Sequence, residues 1–135
     1  MDWPVEVEIK VPWRDVDAAG HVNNAVYFSY METARAEAFL RARGAGRRWQ
    51  DVDMILARAE ADFRSAATFG DTLLVRTWPT RVGGSSFALG YRILDKATGR
   101  VVLEGASVQV MYDYAQQRKK PVPEPLRAAL EAGLP

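Results

Sequence analysis

The chain has no cysteine and a single histidine, His21, in 135 residues. The first absence removes disulfides, thiolate metal sites and cysteine nucleophiles. The second removes any three-histidine metal site within one chain and obliges a Ser-His-Asp triad to use His21. Charge of one sign is scarce too. Eighteen basic against 17 acidic side chains leave +1, too little to grip nucleic acid or an anionic membrane by bulk charge. No apolar run approaches the ~18 residues that cross a bilayer. The start, Met1 to Glu6, carries neither a basic n-region nor an apolar h-region, and no Asn-x-Ser/Thr sequon occurs. A cytoplasmic protein with no nucleic-acid partner and no membrane span is the expectation. Chemistry here must rest on carboxylates, hydroxyls, backbone amides and one imidazole. The length predicts one domain over 1–135 with a sizeable core.

What is present is patterned. Val5, Val7, Ile9, Val11 and Trp13 alternate with Glu6, Glu8 and Lys10, which predicts a strand with one wet face. From Ala25 to about Arg43 the period changes. Val26, Tyr27, Tyr30, Met31, Ala34, Ala38 and Phe39 form a helical face that Phe28 and Leu40 widen, and Glu32, Arg35, Glu37 and Arg41 are the only charges in most of that stretch. Such a helix expects to be largely surrounded. Asn23 or Asn24 suits its N-cap and Gly44 its end. Four strand-like runs follow, Ile55 to Arg64, Thr72 to Arg81, Ser85 to Asp95 and Val101 to Tyr112. The turn-like breaks between the four, Phe69-Gly70-Asp71, Val82-Gly83-Gly84 and Asp95 to Gly99, suit an antiparallel meander. A basic, proline-rich tail then leads to a short amphipathic helix over Leu126 to Leu130. The order strand, long helix, four strands predicts a two-layer α+β domain.

Common motifs fail. There is no G-x-x-x-x-G-K-[ST]. Gly44-Ala45-Gly46-Arg47-Arg48-Trp49 lacks the third glycine of a dinucleotide fingerprint and follows a helix. Gly83-Gly84-Ser85-Ser86-Phe87 is no nucleophile elbow, because its context is strand–turn–strand. The chemistry-bearing residues concentrate instead in Asp15-Val16-Asp17-Ala18-Ala19-Gly20-His21-Val22-Asn23-Asn24. A carboxylate lies just ahead of a helix start, whose unpaired N–H groups carry positive dipole charge. That is a place to hold and attack a carbonyl. Asp and Asn in such a loop also serve as caps and turn residues.

The run from Val11 to Arg35 resembles the signature of the hotdog-fold acyl-CoA thioesterases, in their 4-hydroxybenzoyl-CoA thioesterase-like branch. Ala67 to Leu73, Ser85-Ser86-Phe87 and Arg118 to Leu126 fit the same family. The resemblance implies a long central helix wrapped by a curved five-stranded antiparallel sheet, in the order β-α-β-β-β-β. It implies hydrolysis of acyl-CoA or acyl-carrier-protein thioesters, with no cofactor beyond the CoA of the substrate. Asp17 is implied as nucleophile or general base. The backbone N–H near Asn24 is implied to polarise the thioester oxygen. A homodimer, or a homotetramer of two dimers, is expected to complete the site.

Other positions follow as expectations. Gly20, His21, Val22, Asn23, Tyr27 and Ser86 are candidates for contact with the substrate. Arg81, Arg118 and Lys119 are candidates for the CoA phosphates, since phosphate favours such groups. His21 either orients substrate or water, or fixes its loop by hydrogen bonds. Asp15 competes with Asp17 as the carboxylate, although the motif places the role on Asp17. Glu60 and Asp62 lie on the charged face of a strand; Glu60 is a lesser candidate acid. A non-catalytic acyl-CoA-binding protein is the alternative function. A hydratase is disfavoured, because the single histidine lies at His21.

Overall fold

The computed structural model describes residues 1–44, 48 and 51–135. The dinucleotide-like pattern and the basic pair Arg47-Arg48 fall largely outside them. Strand β1 (Val5–Lys10) is followed by a short 3-10 turn, Trp13–Asp15, and by helix α1 (Asn24–Arg43). Strands β2 (Met54–Phe63), β3 (Thr72–Val82), β4 (Ser86–Asp95) and β5 (Val101–Asp113) come next, then the two-residue β6 (Arg118–Lys119) and helix α2 (Glu124–Glu131). The sheet therefore has six strands rather than five. The extra one forms because the basic tail folds back, pairing Lys119 with Tyr112 and Arg118 with Asp113.

All pairings are antiparallel, in the order β1-β3-β4-β5-β2. Only β3, β4 and β5 form the expected meander. β2 lies beyond β5, because α1 carries the chain from one edge of the sheet to the other. Twenty residues at ~1.5 Å each span roughly 30 Å, which suffices for that crossing. The β1 alternation ends at Lys10, short of Trp13. Pro12 offers no N–H to a ladder, and the 3-10 turn starts there.

One sheet face is apolar and packs on α1. Leu73, Val75, Phe87, Leu89, Tyr91, Ile93 and Leu103 are buried there against Tyr27, Tyr30, Met31 and Ala34. Leu126 and Leu130 of α2 close the same core. The α2 end is tied by Trp3 Nε1, which donates to the Ala129 carbonyl at 2.9 Å. The opposite sheet face carries cross-strand ion pairs, Arg76 with Glu6 at 2.6 Å and Arg92 with Glu104 at 3.4 Å. Each is solvent-exposed, so each contributes under about 1 kcal/mol.

β2 departs from the simple alternation read from its sequence. Its register against β5 shifts between Leu56 and Arg58. The bulge at Ala57 puts Leu56 opposite Gln109 and Ala59 opposite Ser107. The inward set is thus Met54, Leu56, Ala59, Ala61 and Phe63. Arg58, Glu60 and Asp62 face the other way, and Arg58 pairs with Glu60 at 2.8 Å. β2 is an outer strand with large apolar side chains in solvent, at Ile55, Leu56 and Phe63.

Candidate active site

The loop before α1 is held almost entirely by its backbone. Val16 and Val22 form an isolated bridge, and His21 bridges Thr68. The Asp17 N–H donates to the His21 carbonyl at 2.9 Å, and the Gly20 N–H to the Asp17 carbonyl at 3.0 Å. This tight turn needs a positive φ at Gly20, which is +83°. Asp17 Oδ1 accepts the Ala19 N–H at 2.9 Å, which orients the carboxylate and leaves its second oxygen without a partner among the described residues. The Val22 N–H donates to the Ala67 carbonyl at 2.9 Å, fastening the loop to the segment after β2.

Helix α1 starts at Asn24. The N-cap is Asn23, whose side chain accepts the Ala25 N–H at 2.9 Å. The Val26 N–H donates to the Asn23 carbonyl, and the Asn23 N–H to the Asp15 carbonyl. Among the described residues the Asn24 N–H donates to nothing. It is one of the donors that a helix start leaves over.

Asp17, His21, Val22, Asn23, Asn24 and Tyr27 line one open cleft of about 370 Å³ with Phe63, Ser65 and Ala66. Six of the positions singled out from the sequence therefore converge. Phe63, Ser65 and Ala66 were missed. They reach the cleft only through the long-range pairing of segment 63–68 with the loop before α1, and no local pattern signals that. Gly20 shapes the turn beside the cleft rather than its wall. Val22 is buried and contributes its backbone to the tie. The buried Tyr27 presents its ring, while its hydroxyl accepts the Ala67 N–H at 3.1 Å. Burial pushes that phenol above its usual pKa, partly offset by the Ala67 N–H.

The two aspartates separate clearly. Asp15 is largely buried, and its Oδ2 accepts the Tyr30 hydroxyl at 2.7 Å. Burial first, and the Asp15 carboxylate second, hold the Tyr30 phenol well above its usual range. Asp15 is thus a tie between loop and helix, whereas Asp17 faces the cleft. The His21 imidazole is exposed, lines the cleft and makes no hydrogen bond among the described residues. Its backbone ties the loop.

Four other expected positions lie elsewhere within the protomer. Ser86 pairs with Val110, Val82 with Phe87, and Arg118 with Asp113. The cleft adjoins Phe63, which pairs with Leu103. Seven residues of β5 separate Leu103 from Val110, roughly 23 Å at 3.3 Å each. Ser86, Arg81, Arg118 and Lys119 therefore stand at the far end of the sheet from Asp17. Glu60 sits on the outward face of β2 and does not line the cleft.

An α+β fold with one long helix on one sheet sets a carboxylate with one unpartnered oxygen beside an open helix N-terminus, an arrangement able to hold and attack a carbonyl. Comparison places the chain more closely. Residues 11–130 match the family model described as the thioesterase-like superfamily, and the chain belongs to that family. It is 25% identical over 130 residues to a long-chain acyl-CoA thioesterase, FadM, of Escherichia coli, covering 94% of this chain and 97% of that protein. It is 29% identical over 136 residues to a 1,4-dihydroxy-2-naphthoyl-CoA hydrolase of Synechococcus, covering 95% and 90%. A chloroplastic palmitoyl-acyl carrier protein thioesterase of Cuphea hookeriana is 27% identical over 82 residues, and the match spans only 20% of that longer protein. Among solved structures, a Thermus thermophilus thioesterase complexed with coenzyme A and zinc superposes with a TM-score of 0.82 at 31% identity, covering 95% of this chain and 92% of that one.

Proposed function

We propose that this chain hydrolyses acyl-CoA thioesters, as a hotdog-fold enzyme of the 4-hydroxybenzoyl-CoA thioesterase-like branch; an acyl-carrier-protein thioester is the related substrate. The observation that carries this reading is the shared cleft of Asp17 and the unpartnered Asn24 N–H. A thioester carbonyl has weak resonance stabilisation, and its thiol leaving group has a pKa near about 8.5. The thiolate leaves with little help from a general acid. The remaining needs are an attacking oxygen and a donor for the developing oxyanion.

Asp17 supplies the first and the Asn24 N–H the second, assisted by the positive end of the α1 dipole. The carboxylate either attacks the carbonyl carbon, breaking the C–S bond through a mixed anhydride that water then cleaves, or takes a proton from an attacking water. Both routes give the free acid and the thiol and need no cofactor. A single turnover in ¹⁸O-water that leaves the first product unlabelled and Asp17 labelled marks direct attack with cleavage at the Asp17 carbonyl; trapping of an acyl group on Asp17 marks direct attack when water cleaves at the acyl carbonyl instead.

The site is completed by a second copy. Among the described residues β2 is an edge of the sheet with exposed apolar side chains, a surface that proteins in water tend to cover. Antiparallel pairing of two β2 edges about a two-fold axis sets the Met54 end of one copy beside the Phe63 end of the other. That brings Arg118 of the partner subunit and Lys119 of the partner subunit toward the cleft, where CoA phosphates need cations. Sedimentation should show a dimer or larger; a monomer at micromolar concentration rejects this part. The activity is tested by thiol release across short, long and aromatic acyl-CoAs and an acyl-carrier protein. Turnover of at least one is expected. Tight binding without turnover would mark a non-catalytic acyl-binding protein instead.

A further inference from the structure

Beneath α1 lies a polar chain where aliphatic packing would be expected. Arg35 is among the few charges of the helix, and its side chain is only 8% exposed. Its Nη1 donates to the Tyr91 hydroxyl at 3.2 Å. That hydroxyl bonds Ser107 Oγ at 2.6 Å, Ser107 Oγ donates to Gln109 Oε1, and Gln109 Nε2 donates to the Phe87 carbonyl at 3.2 Å. Tyr91, Ser107 and Gln109 are all fully buried. The chain thus runs in one direction and terminates on a backbone oxygen. Its buried sheet members are satisfied. The donors left over belong to Arg35, whose only other polar contact among the described residues is the 71% exposed Glu32 at 3.7 Å.

Those donors open onto a groove between α1 and the edge strand β2. Two adjoining pockets of about 150 and 160 Å³ share Glu32, Arg35 and Leu56 as lining. Ala59, Met31 and Phe28 wall the end toward the cleft, and Phe28 stands edge-on to Phe63 of the cleft wall, ring centres 6.4 Å apart. The groove therefore lies next to the cleft, with that aromatic pair standing between the two. Arg35 lies 11 residues after Asn24, roughly 16 Å along the helix, and a helical side chain leans back toward the N-terminus. An acyl group of medium length, with its carbonyl at the Asn24 N–H, would place its far end at the guanidinium.

We propose that this groove takes the acyl part of the substrate and that Arg35 selects acyl groups bearing an acceptor oxygen at their distal end, a hydroxyl or a carboxylate, over plain alkyl chains. The inference rests on the thioesterase reading above. The remaining Arg35 N–H groups are not among the buried unpartnered atoms and so reach solvent; a bare methyl end seated there displaces their water without replacing its hydrogen bonds, which costs binding. A distal oxygen removes that penalty, and hydrogen bonds to charged groups carry enough free energy for about tenfold discrimination or more.

The test compares decanoyl-CoA with ω-hydroxydecanoyl-CoA and sebacoyl-CoA. The native protein should show at least about tenfold higher kcat/KM for one or both oxygenated substrates, expressed in KM. A preference for sebacoyl-CoA identifies the ligand as an anion, and one for the hydroxy compound as a neutral acceptor. Arg35→Met should collapse the ratio toward unity. Tyr91→Phe, which removes the anchor of the guanidinium together with the hydrogen bond to Ser107, should lower it severalfold. Equal kcat/KM for all three, or a ratio that survives Arg35→Met, overturns the proposal. Calorimetry with the matching non-hydrolysable thioethers of CoA reads the same preference without turnover. Failure of the hydrolase reading (no thiol release) is thereby distinct from failure of this one (no preference in binding).

Discussion

The two carboxylates of the loop before α1 give opposite results when each is made an amide. Asp17→Asn keeps an oxygen for the Ala19 N–H, so the turn persists and the shape of the cleft changes little. Asp17 is exposed, and loss of its charge near a helix start costs about 0.3–1 kcal/mol. A 135-residue domain has an unfolding entropy near 0.28 kcal/mol/K, from about 2.1 cal/mol/K per residue. The expected fall in Tm is therefore below about 4 °C. Activity should fall far more. Removing a general base costs about 10²–10⁴ in rate, and removing a nucleophile can cost about 10⁶. Asp15→Asn reverses the pattern. The hydrogen bond from Tyr30 changes from a charged to a neutral acceptor, a loss of about 1 kcal/mol and about 3–4 °C in Tm. Its backbone carbonyl still receives the Asn23 N–H, so kcat should stay within about tenfold of the native value. Thiol-release kinetics and thermal unfolding on both variants make the comparison. If Asp17→Asn keeps kcat within tenfold, or Asp15→Asn is the more damaging to turnover, the assignment of the carboxylates is wrong.

Other perturbations probe the supports of the site. Asn23→Ala removes the cap on the Ala25 N–H and should cost about 1 kcal/mol. It should also lower kcat rather than KM, because the fraying turn carries the Asn24 N–H. Gly105→Ala should destabilise by about 1–3 kcal/mol, since an added Cβ would stand 2.8 Å from the Glu60 carbonyl oxygen and 3.1 Å from Met31 Cε; a denaturant midpoint unchanged from the native one refutes the close approach of β2 and β5 there. Tyr27 and Tyr30 have folded phenol pKa values above the unfolded value of 10.0. Above pH 10 the unfolded chain releases those protons while the native chain holds them, so stability is fully present below pH 10 and is lost as pH rises beyond it. Urea unfolding at successive alkaline pH values should show this fall, reduced in Tyr30→Phe.

The elements were legible in the sequence where one local rule governed them. The Val5 to Ile9 alternation needs only a half-wet strand. The Tyr27 to Phe39 spacing needs only a helix with a buried stripe. What the sequence obscured depended on partners far along the chain. The bulge at Ala57 exists because β2 must stay in register with β5, and alternation alone predicts none. β2 and β3 are parted because α1 crosses the sheet, a fact absent from either strand.

The site divides the same way. The cluster from Asp15 to Asn24 showed which residues could do carbonyl chemistry, and there only the family resemblance favoured Asp17 over Asp15. In the structure the two differ because Tyr30, fifteen residues after Asp15, ties Asp15 and not Asp17. Arg35 makes the point most sharply. In the sequence it is one charge among five on a mostly apolar helix, indistinguishable from Glu37 or Arg41. Arg41 pairs with Glu37 at 2.8 Å on the exposed side. Arg35 instead turns inward onto Tyr91, and it can do so only because Ser107 and Gln109 of β5 offer a polar path to the Phe87 carbonyl. A helix period assigns a residue to a face; whether a cation on that face is a surface charge or a buried donor is decided by the strand residues it meets. Residues at the Tyr91, Ser107 and Gln109 positions should therefore vary together with acyl selectivity among proteins of this fold, as the role proposed for Arg35 requires.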